Sequence, residues 1–216
     1  MRKAIILTSI ILIMAAVIMI AFANITAPDK PVVEKKETEE PVQEEALNWE
    51  VPAFSLTNQM GETVSLTDFK GKVWLANMVF TRCPDVCPPM TSKMSGVQQT
   101  LKEKGLDVEI VSFSVDPEYD QPKQLQEFIE KNGVDTSNWS FLTNEGDYEK
   151  MKSFLTSTFR SAVEKQETGS EDLPVLVSHS TNFFLVNKEG KIVDHYDNLD
   201  PETEEVIRAV EKLKNK

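Results

Sequence analysis

The chain has 216 residues, of which 40% are hydrophobic and 27% charged, and its formal net charge is -12. That length suits one domain with a sizeable core, and the acidic balance excludes nucleic acid as a partner, because phosphate backbones are bound by basic surface. Two cysteines are too few for a disulfide framework, so their chemistry rather than their cross-linking accounts for them.

After Met1-Arg2-Lys3, residues 4–23 carry no charge. As a helix they would span about 30 Å, one hydrocarbon thickness, so residues 1–24 are expected to form a single transmembrane anchor. The basic start favours a cytoplasmic N-terminus and an outward-facing domain. A cleaved signal peptide competes, because Ala21-Phe22-Ala23 has the small-x-small form of a cleavage site, although the apolar run exceeds the usual signal core. No cysteine lies near its end to carry a lipid. No Arg- and Ser-rich transit segment precedes it, which favours a bacterial cell membrane, with the domain on the extracytoplasmic side. Residues 25–46 mix Pro28, Pro31 and Pro41 with seven acidic residues and three lysines, a composition that cannot bury a core. They are expected to form an extended tether, serving either as a passive spacer or as a leash that lets the domain search the membrane plane.

From residue 47 to 216 the pattern alternates between short strands and helices. Residues 54–57 and 63–65 read as a hairpin turning at 58–61. Residues 72–80 (KVWLANMVF) are a near-continuous apolar run, the pattern of a strand covered on both faces. A helix is expected over 88–104, opened by Pro88-Pro89 and closed by Gly105, then a buried strand over 108–115 and a helix over 121–132. A short strand at 140–142, a helix at 147–159, a loop at 169–177, a hairpin of 181–186 with 191–196, and a helix at 201–214 complete the order. This is an α/β chain without internal repeats.

Cys83-Pro84-Asp85-Val86-Cys87 falls between the strand at 72–80 and the helix at 88–104. Functional groups of open α/β sheets gather at such strand ends. The positive end of the following helix is expected to lower the thiol pKa and favour the thiolate, the form that acts as nucleophile and as metal ligand. A single structural disulfide is the plainer alternative, but so short a loop restrains little unfolded-chain entropy.

Three stretches carry a resemblance to a known family: Gly71 to Pro88 with its Cys-Pro-Asp-Val-Cys, Ser114-Val115-Asp116-Pro117-Glu118, and Val177-Ser178-His179-Ser180 followed by Phe183-Phe184-Leu185-Val186. Over residues 50–214 the chain resembles the Sco/SenC family. The resemblance implies a thioredoxin-like fold, here with a central mixed sheet flanked by helices and an N-terminal hairpin extension, and a membrane anchor. It also implies copper delivery to the binuclear copper centre of cytochrome c oxidase subunit II. By motif position the copper ligands would be Cys83, Cys87 and His179, with copper carried as Cu(I) or Cu(II); the sequence names no copper donor. Thiolates with an imidazole suit copper, whereas structural zinc usually takes a fourth protein ligand.

Two functions follow from one pair of thiols. The first is a metallochaperone. The second is a thiol–disulfide oxidoreductase, or redox sensor, in which Cys83 and Cys87 are the redox pair that reduces the acceptor's cysteines. The spacing of three residues between the cysteines departs from the two of ordinary thioredoxins. A peroxidase is disfavoured, since the Pro-x-x-x-Thr-x-x-Cys motif of peroxiredoxins is missing, with Asn77 and Thr81 out of place. Asp85 and Asp116 are candidates for orienting the ligands or meeting a partner, Asp85 equally for a turn or cap. Arg82 beside Cys83 would either favour its thiolate or point to solvent. Met78, Met90 and Met94 are expected to pack the core rather than bind metal, and His195 is expected to be structural.

Overall fold

The computed structural model describes residues 47–83, 86–144, 146–171, 174–197 and 203–215. The expected anchor and tether lie outside the described residues, and among the described residues no helix is long and apolar enough to cross a membrane. Within them the chain forms strands β1 (Trp49–Glu50), β2 (Ser55–Asn58), β3 (Thr63–Ser65) and β4 (Trp74–Val79), then helix α1 (Cys87–Glu103). Strand β5 (Glu109–Ser114), helix α2 (Pro122–Asn132), strand β6 (Trp139–Thr143) and helix α3 (Tyr148–Phe159) follow. Strands β7 (Glu164–Glu167), β8 (Val175–Ser178), β9 (Asn182–Val186) and β10 (Lys191–Asp197) precede helix α4 (Thr203–Lys214).

One mixed sheet has the order β1-β10-β9-β4-β5-β6-β2-β3. Strands β4, β5 and β6 run parallel, while β9 joins β4 and β2 joins β6 antiparallel. All six residues of β4 are buried, as a strand covered on both faces requires. Alternation along the strand divides its side chains between two layers. Trp74, Ala76 and Met78 pack with Phe54, Phe113, Leu155, Phe159 and Phe184, under α3 and the β2–β3 hairpin. Leu75 and Val79 pack with Met94, Val97 and Leu101 of α1, Leu125 and Phe128 of α2, and Val206 and Val210 of α4. Helices thus cover both faces, and the mixed sheet and N-terminal hairpin match the expected architecture.

Helix boundaries follow local chemistry. The Asp147 carboxylate accepts the Lys150 N–H at 3.0 Å to start α3. Gly133, at φ 61°, closes α2 in a left-handed turn that a Cβ would strain.

One segment departs from expectation. Residues 175–177, the end of the loop expected at 169–177, instead form β8 with Ser178, and β8 pairs antiparallel with β7 as a two-stranded sheet separate from the main one. Strand β7 reads Glu-Lys-Gln-Glu and is mostly exposed, so it offers no apolar alternation to recognise. In β8 only Val177 is buried.

Candidate metal centre

Strand β4 ends at Val79, and the chain turns through residues 80–83, where the Cys83 N–H donates to the Phe80 carbonyl at 3.0 Å. Cys87 is the first residue of α1 and only 1% exposed, whereas Cys83 is half-buried; no disulfide joins them. The thiols nevertheless touch, with a side-chain hydrogen bond between Cys87 and Cys83. That bond, reinforced by burial, pushes the Cys87 thiol pKa up. The expected lowering of the thiol pKa therefore fails at Cys87, where the hydrogen bond with the second sulfur and then burial act in the opposite direction.

His179 follows β8 directly and enters the site from the far side of the chain. Its Nε2 lies 3.9 Å from Cys87 Sγ, while Nδ1 lies 2.8 Å from the Ser180 carbonyl oxygen. A carbonyl only accepts, so Nδ1 carries the proton and Nε2 keeps its lone pair toward the sulfur. Burial holds the ring's pKa below its ordinary value, which favours the neutral form. With metal–sulfur and metal–nitrogen bonds of about 2.3 and 2.0 Å, a separation of 3.9 Å suits two ligands of one ion. Among the described residues no group of three His, Cys, Asp or Glu side chains stands ready-made around a metal. Cys87 and His179 are the close pair, and Cys83 adjoins them through its bond to Cys87. Two sulfurs and an imidazole nitrogen are a donor set that fits copper.

The remaining candidates sort clearly. Met78, Met90 and Met94 are buried in the core. His195 is exposed on β10 and stacks on Phe184. Asp85 lies outside the described residues. Arg82 points neither to solvent nor at the sulfurs: its guanidinium binds the buried Asp116 carboxylate and lies 4.2 Å over the Tyr119 ring. Three participants escape sequence reasoning. Lys165 of β7 also reaches Asp116, at 3.2 Å. Asp120, fully buried, accepts hydrogen bonds from the Thr81 hydroxyl and, at 2.7 Å, the Ser114 hydroxyl. The Ser180 carbonyl sets the histidine tautomer. Asp120 follows Asp116 by four residues and signals itself only as a turn residue.

A thioredoxin-like domain with a dithiol at the end of a central parallel strand, and a histidine brought to it by the link between β8 and β9, defines the class. The SCO1/SenC family model matches residues 42–215, and the chain belongs to that family. It is 43% identical over 154 residues to the SCO1 protein homolog of Bacillus subtilis (strain 168), covering 71% of this chain and 77% of that one. It superposes with a TM-score of 0.69, at 38% identity, on BsSco, described as a member of the Sco family of cytochrome c oxidase assembly proteins with a disulfide switch; the match covers 77% of this chain and 94% of that one. It also superposes on Arabidopsis thaliana ScoI with copper bound, with a TM-score of 0.66 and 28% identity, over 78% of this chain and 100% of that one.

Proposed function

We propose that this protein is a membrane-anchored copper metallochaperone, holding one copper ion as cargo between Cys83, Cys87 and His179 for the binuclear copper centre of cytochrome c oxidase subunit II. The observation that carries the reading is the approach of His179 Nε2, left with a free lone pair because Nδ1–H donates to the Ser180 carbonyl, to Cys87 Sγ at 3.9 Å. Plain dithiol exchange has no need of that nitrogen. Family membership and the copper-bound Arabidopsis relative support the choice of metal. Residues 1–24 would anchor the chain in a bacterial membrane, and residues 25–46 would let the domain, from residue 47 onward, reach its acceptor on the extracytoplasmic side. The deciding experiment titrates the reduced full chain with copper and, in parallel, zinc. One equivalent of Cu(II) should produce a sulfur-to-copper charge-transfer band that His179→Ala shifts and weakens. An unchanged spectrum in that variant would remove the histidine from the ligand set.

A second reading is supported by the contact between the sulfurs. Cys83 is the accessible thiol and Cys87 adjoins it. The Cys83 thiolate would attack an acceptor disulfide, forming a mixed disulfide and releasing one acceptor thiol. Cys87 would then attack Cys83 Sγ, releasing the second acceptor thiol and leaving a Cys83–Cys87 disulfide, so that two electrons pass to the acceptor. The two readings share a condition, since the reduced pair alone offers thiolates to copper.

A further inference from the structure

The two halves of the site come from different parts of the chain. Cys83 and Cys87 follow β4 of the main sheet, while His179 lies in the short link between β8, which pairs only with β7, and β9, the neighbour of β4. Two-stranded hairpins are marginally stable alone, and this one is held to the body of the domain by Val163 and Val177 in the core and by charged contacts. Lys165, directly opposite Val177 in the hairpin register, extends to Oδ1 of Asp116 at 3.2 Å and also binds Glu118. From the other side Arg82, the neighbour of Cys83, binds Oδ2 of the same carboxylate, with Nε at 3.1 Å.

We propose that Asp116 is the positioning residue of the site: one carboxylate ties the cysteine loop through Arg82 to the His179 hairpin through Lys165, and so sets the distance between sulfur and imidazole. This rests on the copper reading above.

Asp116 is suited to the task. It is 0% exposed, its N–H donates to Ser114 Oγ at 3.0 Å, and its carbonyl accepts the N–H groups of Tyr119 and Asp120 at 3.0 and 2.9 Å. Its backbone is therefore fixed to the end of β5. Both cations are themselves restrained, Arg82 over the Tyr119 ring and Lys165 5.2 Å over the Tyr148 ring. Loss of the carboxylate would leave two mostly buried cations with Glu118 as the nearby counter-charge, and both arms would relax together.

The test uses the full chain with Lys165→Met, Lys165→Arg and Asp116→Asn, read against His179→Ala. Lys165→Met should lower copper affinity about 10- to 100-fold, the range for residues that orient a ligand from behind. Its Cu(II) charge-transfer band and hyperfine splitting should move toward those of His179→Ala, and Lys165→Arg should restore both. In the metal-free Lys165→Met protein, backbone amides of β7 and β8 should exchange faster while those of β4 and β5 stay protected. Asp116→Asn should reproduce the Lys165→Met spectrum; if it fails to fold, Lys165→Met decides, because it leaves the buried carboxylate paired with Arg82. A wild-type spectrum and affinity in Lys165→Met, beside a changed His179→Ala, would overturn the proposal and leave the copper site standing. If His179→Ala itself leaves the spectrum unchanged, the ligand assignment falls instead, and unaltered amide exchange in Lys165→Met would then overturn the tether.

Discussion

Cys87 Sγ and His179 Nε2 meet at 3.9 Å although 92 residues separate them in the chain. Such an approach costs ordering of two segments, and an ion bridging both atoms would offset it. Replacing His179 by alanine should lower copper affinity by more than about tenfold, given that even the partners behind a ligand are worth about 10- to 100-fold. Competition against a chelator of known affinity measures this, and a loss within error would argue for a two-sulfur site.

Copper uptake should release protons. The Cys87 thiol pKa is raised, first by its hydrogen bond with Cys83 and then by burial, so the thiol enters the neutral range protonated and must lose that proton to bind metal. Burial holds the His179 pKa below its ordinary value, so the thiols are the main source of the protons. Apparent affinity should therefore rise between pH 6 and 8, by about tenfold per pH unit for each proton displaced. Affinity that stays flat across this range would mean that the site is already deprotonated.

Most of the architecture is legible in the residues because apolar runs and turn chemistry agree there. KVWLANMVF announces β4, and the cysteines at its end have the address the structure gives them. The hairpin that precedes His179 is not legible. Strand β7 earns its place through Lys165 reaching a buried carboxylate, a contact with no local pattern, and Asp116 looks like an ordinary turn aspartate until both cations are seen on it. The raised Cys87 thiol is hidden for a related reason: a helix N-terminus can be read from Pro88-Pro89, whereas the contact of Cys87 with Cys83, and then its burial, exist only in the folded chain.

A buried polar chain inside the sheet should matter to stability and not to the metal. Ser112 Oγ donates to Asn77 Oδ1 at 2.6 Å and accepts the Trp139 indole N–H at 2.9 Å. This gives Asn77 a structural reason to interrupt the apolar run of β4. Ser112→Ala removes a partner from both neighbours at once and should cost about 1–3 kcal/mol in urea unfolding, with the copper spectrum unchanged. A cost indistinguishable from zero would mean that water or a repacked side chain satisfies them.

Asp120 makes a prediction whose sign is unusual for a carboxylate. Burial raises its pKa from 3.8 to about 6, against the lowering effect of hydrogen bonds from Thr81 and Ser114. Between those values the native state binds more protons than the unfolded chain, so stability should fall as pH rises from about 4 to 6 and level off above. The decline attributable to this group is on the order of 3 kcal/mol. Other carboxylates act oppositely and lower down: Asp135, held to about 2 chiefly by Lys102, gives stability that is lost only as pH falls. The comparison that isolates Asp120 is therefore the unfolding free energy of the reduced, metal-free protein minus that of Asp120→Asn, followed from pH 4 to 7. The variant carries a constant offset from its altered hydrogen bonds but no titration, so the difference should drift against the wild type through the window and then become constant. Parallel curves would show that the Asp120 carboxyl ionises in the fold as easily as in water.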